Sequence, residues 1–294
     1  MIEFPCEHVV SAFADWLEAT LLFTNSKRLS RADIEGIFDQ IGVLDGDDHI
    51  SNLLREIDRR TKSIGVYYPL ELERMAISRK KRWRESLVYS FQLLISLNRH
   101  YPILRFRGKA AHKPAELFEF LTLHAFQRYL KGECIRIGAP RRPPIPRSFI
   151  KAVNYVCNLT SERFGGGDLN RSNILDEDLD VIGWSPFRDL RSGQLLLFGQ
   201  CAIGIDWDDK LKDLCLNQWN EHIRWLVKPV RAFAVPFIHD DGEAWLRTSR
   251  EGGLIFDRAR ISSLLRPNDL PRDLASEIKE WCEARIESLL GLEL

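Results

Sequence analysis

The 294-residue chain is 45% apolar and 29% charged, which excludes a disordered protein and leaves enough apolar residues for one large or two medium domains. Its 42 basic and 42 acidic residues cancel, so no global field draws the chain to nucleic acid, and any such surface must be local. There is no run of about eighteen apolar residues and no basic N-terminal region followed by an apolar one, so we expect neither a membrane span nor secretion.

The six cysteines are widely scattered along the chain. They form no C-x-x-C pair, and no histidine stands at zinc-ligand spacing from any of them. We therefore expect reduced, buried thiols in a cytoplasmic protein.

Residues 1–108 predict an all-helical N-terminal domain. Apolar residues recur at helical spacing in residues 8–24, 49–63 and 81–99, and the sequence Ser30-Arg-Ala-Asp33 has the pattern of a capping box that begins another helix. A helix-turn-helix is one alternative, but residues 29–60 show no recognition helix, which favours ordinary helix packing. The small, polar stretch Gly108–Pro114 predicts the boundary to a second domain, residues 109–294.

The sequence of the second domain predicts alternating helices and strands. Short apolar runs bounded by Gly, Pro, Asp and Ser predict strands, and apolar residues at helical spacing predict helices. The elements, in order, are a helix at Pro114–Tyr129, a strand at Cys134–Ile137, a helix at Arg147–Arg163, a hairpin of Leu179–Trp184 with Gln194–Ile203, a helix from about Asp206 to Trp225, and strands at Val230–Ile238 and Leu254–Phe256. A final helix is predicted at Asp269–Leu290.

Four polar residues stand at the ends of these elements. Asp180 begins the first hairpin strand, Gln200 lies near the end of the second, Lys210 opens the helix that follows, and Glu119 falls in the first turns of the Pro114 helix. Carboxylate and amide oxygens are ligands that Mg²⁺ accepts, and a nearby ammonium can stabilise charge that develops on a phosphate. The pattern predicts a metal-dependent site.

Each of these residues also has a structural interpretation. Asp180 could be a turn or cap residue, Glu119 could serve the helix dipole, Gln200 could be a buried amide bonded to the backbone, and Lys210 could be an exposed helix lysine.

The order of elements resembles the core of the PD-(D/E)XK phosphodiesterase superfamily, whose minimal core is α-β-β-β-α-β. The resemblance covers roughly residues 109 to 240. It implies an α/β (α+β) fold: a restriction-endonuclease-like mixed sheet flanked by helices, here preceded by the helical domain. Asp180 matches the acid that begins the second core strand, and Gln200 matches the Glu or Gln of the third.

The lysine of the superfamily motif is absent from its usual position, which holds Ala202. Some members supply that lysine from the following helix, where Lys210, or less favourably Lys212, stands. The resemblance implies catalytic roles for Asp180, Gln200, Lys210 and Glu119, with Mg²⁺ or Mn²⁺ held by Asp180, Gln200 and Glu119.

The function that the resemblance implies is a metal-dependent DNA endonuclease, a hydrolase of bacterial restriction or antiviral defence, regulated by a partner protein or by homodimer formation. The alternative is a catalytically inactive module that keeps the fold and binds protein or nucleic acid within a larger complex. Ala202 and the uncharged Gln200 favour that alternative.

Basic residues form three local groups: Arg79–Arg84, then Arg105, Arg107 and Lys109, and then Arg141, Arg142 and Arg147 among prolines. Each group could neutralise phosphates without reading sequence. Each could also be an ordinary solvated surface, and only their position relative to the proposed site distinguishes the two.

Overall fold

The computed structural model of the protein describes residues 2–5, 9–101, 104–106, 108–166 and 177–291. Cys6 and Arg107 lie outside these residues. The described chain forms two compact units. We call Met1–Leu117, Pro236–Ile238 and Arg258–Leu294 the helical unit, and Phe118–Val235 with His239–Asp257 the sheet unit. No helix among the described residues is long and apolar enough to cross a membrane.

Helices and short strands are interspersed along the described chain. Those up to Leu130 are α1 (Val10–Phe23), β1 (Arg28–Ser30), α2 (Arg31–Ile41), α3 (Gly46–Ile64), β2 (Leu70–Glu73), β3 (Ala76–Arg79), α4 (Leu87–Ser96) and α5 (His112–Leu130). Those that follow are β4 (Glu133–Arg136), α6 (Phe149–Thr160), β5 (Arg163–Phe164), β6 (Val181–Ser185), β7 (Leu195–Cys201), α7 (Leu216–His222), β8 (Ile223–Arg224), β9 (Val230–Ala234), α8 (Glu243–Gly252), β10 (Leu254–Phe256), α9 (Arg258–Leu264) and α10 (Arg272–Leu290).

The capping box predicted for α2 is present. The backbone N–H of Asp33 donates to Ser30 Oγ at 3.2 Å, and the Asp33 carboxylate accepts from the backbone N–H of Ser30 at 2.7 Å. These bonds satisfy backbone groups that the first turn of a helix leaves open. The local sequence therefore determines where α2 begins.

The expectation of an all-helical N-terminal domain is wrong, because the helical unit also contains a small antiparallel sheet. Its strand order is β1-β3-β2, and Ile77 of β3 pairs with Leu29 on one side and Leu72 on the other. The turn between β2 and β3 uses Arg74 and Met75, both with positive φ. A two-residue hairpin of this kind usually carries Asn or Gly, so this turn lacks the residues by which a hairpin is recognised.

A five-stranded mixed sheet, in the order β10-β9-β7-β6-β4, forms the centre of the sheet unit. The predicted hairpin is confirmed, since β6 and β7 are antiparallel with Ile182 opposite Phe198. Strand β9 pairs with β7 in parallel, with Gly199 beside Ala232. The protein therefore has a mixed α/β architecture.

The two faces of this sheet are covered differently. On one face, Phe198 packs in a buried cluster with Val153 of α6 and Trp219 of α7. On the other face, Gly199 leaves the space that the Phe126 ring of α5 occupies. Alternate residues of β7 point to opposite faces, so Cys201 shares the α5 face with Gly199.

The prediction of one helix from about Asp206 to Trp225 is wrong. A 3₁₀ helix spans Asp209–Lys212, and α7 begins only at Leu216 after an extended Cys215. The apolar spacing is real, because Leu211, Leu214 and Trp219 are buried. Acidic residues crowd the segment before Leu214, and Asp bonds readily to local backbone in non-helical conformations, which favours a short turn there.

Candidate active site

Two carboxylates converge at Gly138, the second residue after β4. A Cβ atom built on Gly138 would lie 2.8 Å from Oε2 of Glu119 and 3.0 Å from Oδ1 of Asp180. An added methyl group would meet the ends of both carboxylates, so the Glu119 and Asp180 side chains would have to shift to admit it. Glu119 of α5 and Asp180, just before β6, therefore approach the same point from two elements.

Asp180 is fixed on both its backbone and its side chain. Its backbone N–H donates to Gly199 O at 3.0 Å, and its carbonyl accepts from the N–H groups of Ile137 and Gly138 at 2.7 and 3.1 Å. Its Oδ2 accepts from the backbone N–H of Cys201 at 2.7 Å. The carboxylate is therefore held just before the start of β6, with little freedom to turn away.

A buried arginine supplies the positive charge of the site. Nε of Arg136 donates to Oε2 of Glu119 at 2.6 Å, and the two side chains are 3% and 13% exposed. Nη1 of Arg136 donates to Pro140 O at 2.8 Å, and the guanidinium lies 5.3 Å from the centre of the Phe120 ring. Arg136 is not among the site residues predicted from the sequence, although a charged residue inside the apolar strand Cys134–Ile137 is a signal for a buried ion pair.

The Cys201 thiol lies beside the same carboxylates. Burial first, and then the negative charges of Asp180 and Glu119, raise the pKa of this thiol well above its usual value. A thiol with a raised pKa stays protonated at neutral pH and is a poor nucleophile. Cys201 therefore contributes a backbone donor to the site and no thiolate.

Gln200 stands next to this group without bonding to Asp180. Its side chain starts on the face that Leu196 and Phe198 share, opposite to that of Cys201, and the residue is 4% exposed. Its Oε1 is buried and has no hydrogen-bond partner among the described residues. An unpaired buried acceptor is costly, and the metal-ligand role predicted for Gln200 stays a prediction.

The two lysines considered as replacements for the missing motif lysine do not contact the carboxylates. Lys210 is half-buried in the 3₁₀ helix, and its ammonium makes no ion pair or hydrogen bond with the part of the chain that the structure describes. Lys212 is exposed and pairs with Glu251 at 3.3 Å. Ala202 is buried. Arg136 therefore supplies a cation to these carboxylates.

The donor set fits a hard divalent cation. Glu119 and Asp180 offer carboxylate oxygens at one point, whereas the Gln200 side chain starts on the opposite face of the sheet. Across residues 2–5, 9–101, 104–106, 108–166 and 177–291, no group of three or more His, Cys, Asp and Glu could hold a metal ion. Mg²⁺ commonly binds through one or two carboxylates and keeps several waters, so the pair at Gly138 suits it better than it suits Zn²⁺.

The chain matches no family model, no curated protein and no solved structure. Its function has to be inferred from the carboxylates and their neighbours.

Proposed function

We propose that the sheet unit is a metal-dependent phosphodiesterase that hydrolyses DNA. The observation that carries the proposal is the convergence of Glu119 and Asp180 at Gly138. The frame supports it, because α5, β4, β6, β7, α7 and β9 occur in the helix and strand order of the PD-(D/E)XK core, with α6 and β5 inserted after β4 and β8 inserted after α7. Strand β6 is antiparallel and β9 parallel to β7.

Glu119 and Asp180 would hold Mg²⁺ or Mn²⁺, with the Gln200 amide oxygen as the further ligand predicted from the sequence. When bound, such an ion neutralises charge on the phosphate and lowers the pKa of a bound water.

The chain itself supplies orientation and charge. The Cys201 backbone N–H aims one oxygen of Asp180 and leaves Oδ1 directed toward Gly138. Arg136 fixes Glu119 and places a permanent positive charge beside the site, where it stabilises negative charge that develops on a phosphate. Lys210 as the residue that orients the water stays a prediction.

The test is cleavage of a supercoiled plasmid with Mg²⁺ or Mn²⁺. We expect Asp180→Asn and Glu119→Gln to lower the cleavage rate by about 100-fold or more, as removal of a metal ligand does. The matched control is Asp189→Asn, which changes an exposed carboxylate in the turn between β6 and β7. Equal cutting by the wild type and Asp180→Asn would rule the proposal out.

A second candidate function is a nuclease-like binding module without catalysis. The ion pair between Arg136 and Glu119 favours it, because a carboxylate engaged by arginine binds metal less strongly, and Ala202 leaves the motif without its lysine. The two candidates differ in one measurement. A wild-type protein that binds DNA or a protein partner, yet neither binds Mn²⁺ nor cuts DNA, would be such a module.

A further inference from the structure

A basic loop continues directly from the candidate site. We define it as Ala139–Arg147, sequence APRRPPIPR, which contains three arginines, four prolines and no acidic residue. Proline fixes φ and restricts the residue before it, so the loop has few conformations to choose among. It carries a local positive charge on a chain whose overall net charge is zero.

Hydrogen bonds join this loop to the carboxylate pair. Arg136, which pairs with Glu119, also donates to Pro140 O at 2.8 Å. At the far end of the loop, Arg141 Nη1 donates to Arg147 O at 3.0 Å and ties the two ends together. The position of the loop is therefore coupled to the site.

Aromatic rings fix the direction of two loop arginines. The Arg142 guanidinium lies 4.9 Å from the centre of the Phe120 ring, the same ring that Arg136 contacts, and Phe120 directly follows Glu119 in α5. The Arg141 guanidinium lies 5.7 Å from the Phe149 ring. Such stacking leaves the edge of a guanidinium able to bond to phosphate. Arg142 and Arg147 are exposed.

We propose that the basic loop binds the backbone phosphates of the DNA strand next to the phosphate that is cut. This inference rests on the proposed function and assigns the loop to the same site. Two carboxylates repel a polyanion, so a substrate needs compensating charge close by. Arginines on a stiff loop supply it to phosphates and read no base.

Another basic run, Arg79–Arg84, belongs to the helical unit. Arg79 donates to the carbonyls of Leu21 and Thr24 at the end of α1, and Arg84 pairs with Glu283 at 2.8 Å. These arginines stabilise the helical unit. The exposed residues Lys80 and Arg82 of this run therefore make a control that removes the same charge from the helical unit.

The test is fluorescence anisotropy of a short labelled DNA duplex with the full chain in EDTA, so that neither metal nor cleavage contributes. We expect Arg142→Gln with Arg147→Gln to weaken binding about tenfold or more and to reduce the slope of log affinity against log salt by about two, because two phosphate contacts are lost. Lys80→Gln with Arg82→Gln should bind as the wild type does. Arg142→Lys with Arg147→Lys, which keeps both charges, should retain most of the affinity.

Unchanged affinity and salt slope in the Arg142→Gln, Arg147→Gln variant would overturn the loop assignment, and so would an equal loss in the Lys80, Arg82 control. The result is separable from the fate of the proposed function. If the loop variant loses binding while the wild type never cuts DNA, the hydrolase proposal fails, and the loop is a DNA-binding element that serves no cleavage. If the wild type cuts and the loop variant binds normally, only the loop assignment fails.

Discussion

Nε of Arg136 lies 2.6 Å from Oε2 of Glu119, and both side chains are largely buried. This pair places a permanent cation beside the two carboxylates, although the position expected for a lysine holds Ala202. An intact buried ion pair contributes little net stability, because burying its two charges offsets their attraction. Removing one partner is costly, because the other charge is then buried without a counter-charge.

We therefore predict that Arg136→Met lowers the free energy of unfolding by about 3 kcal/mol. The control is Lys62→Met, which removes an exposed i,i+4 pair with Asp58 and should cost less than about 1 kcal/mol. Urea denaturation measures both. Adding Glu119→Gln to Arg136→Met should recover part of the loss, since the stranded charge is then gone. A double variant less stable than Arg136→Met alone would contradict this account of the pair.

Gly138 offers a test of the carboxylate geometry. Gly138→Ala inserts a methyl group between Glu119 and Asp180 and should push the two oxygens apart, lowering both Mn²⁺ affinity and DNA cleavage about tenfold or more. Gly36→Ala is the matched control, because nothing lies within 4 Å of an added Cβ in the middle of α2. That control should keep full activity and stabilise the protein by about 0.5–1 kcal/mol. Wild-type Mn²⁺ affinity in Gly138→Ala would show that the two carboxylates do not share a ligand.

The helical unit contains a buried charge network that predicts acid sensitivity. Burial alone would raise the pKa of Asp15, but Arg258 and Arg60, which approach Oδ1 at 2.5 and 2.7 Å, outweigh burial and hold this pKa well below its usual value. A carboxyl group whose pKa is lower in the folded than in the unfolded protein stabilises the fold at pH values above its unfolded-state pKa, about 3.9 for Asp. This stabilisation is lost as the pH falls through the pKa of the folded state.

We therefore predict that Asp15→Asn lowers the free energy of unfolding by about 3 kcal/mol or more at neutral pH. The difference from the wild type should shrink as pH falls below about 4. Urea denaturation of both proteins over a pH series measures it. A difference that stays constant down to about pH 3 would mean that folding does not lower the pKa of Asp15.

Thiol reactivity gives a prediction that does not depend on function. Burial, followed by neighbouring acids, raises the pKa of Cys134 and of Cys157 to about 12, and the pKa of Cys201 is raised as well. Cys215 is exposed. We expect brief treatment with iodoacetamide at neutral pH to label Cys215 before Cys134, Cys157 and Cys201, as mass spectrometry of peptides can measure, because the thiolate is the reactive form. Equal labelling of Cys201 and Cys215 would contradict the raised pKa of the Cys201 thiol beside the carboxylates.

Much of the secondary structure could be predicted because it depends on local patterns. The capping sequence at Ser30 and the apolar spacing of α1, α3 and α5 determine those helices. Short apolar runs bounded by turn residues determine β6 and β7. The hairpin of β2 and β3 could not be predicted, because its turn uses Arg74 and Met75 in a conformation that their side chains disfavour.

The charged residues that matter most could not be predicted from local sequence. Asp15 and Arg258 are 243 residues apart and meet only in the folded helical unit. Arg136 meets Glu119 because alternation along β4 turns its side chain toward α5. Of the four residues singled out from the sequence, the structure brings Glu119 and Asp180 together, and it places neither Gln200 nor Lys210 in hydrogen-bond contact with them.

The most direct test of the central claim is a Mn²⁺ titration of the full chain followed by electron paramagnetic resonance, which needs no knowledge of the substrate. We predict one saturable site in the wild type, lost in Asp180→Asn and in Glu119→Gln, and retained in Asp189→Asn. Equal Mn²⁺ binding by the wild type and Asp180→Asn, or no saturable site in the wild type, would contradict the claim that these two carboxylates hold a metal ion.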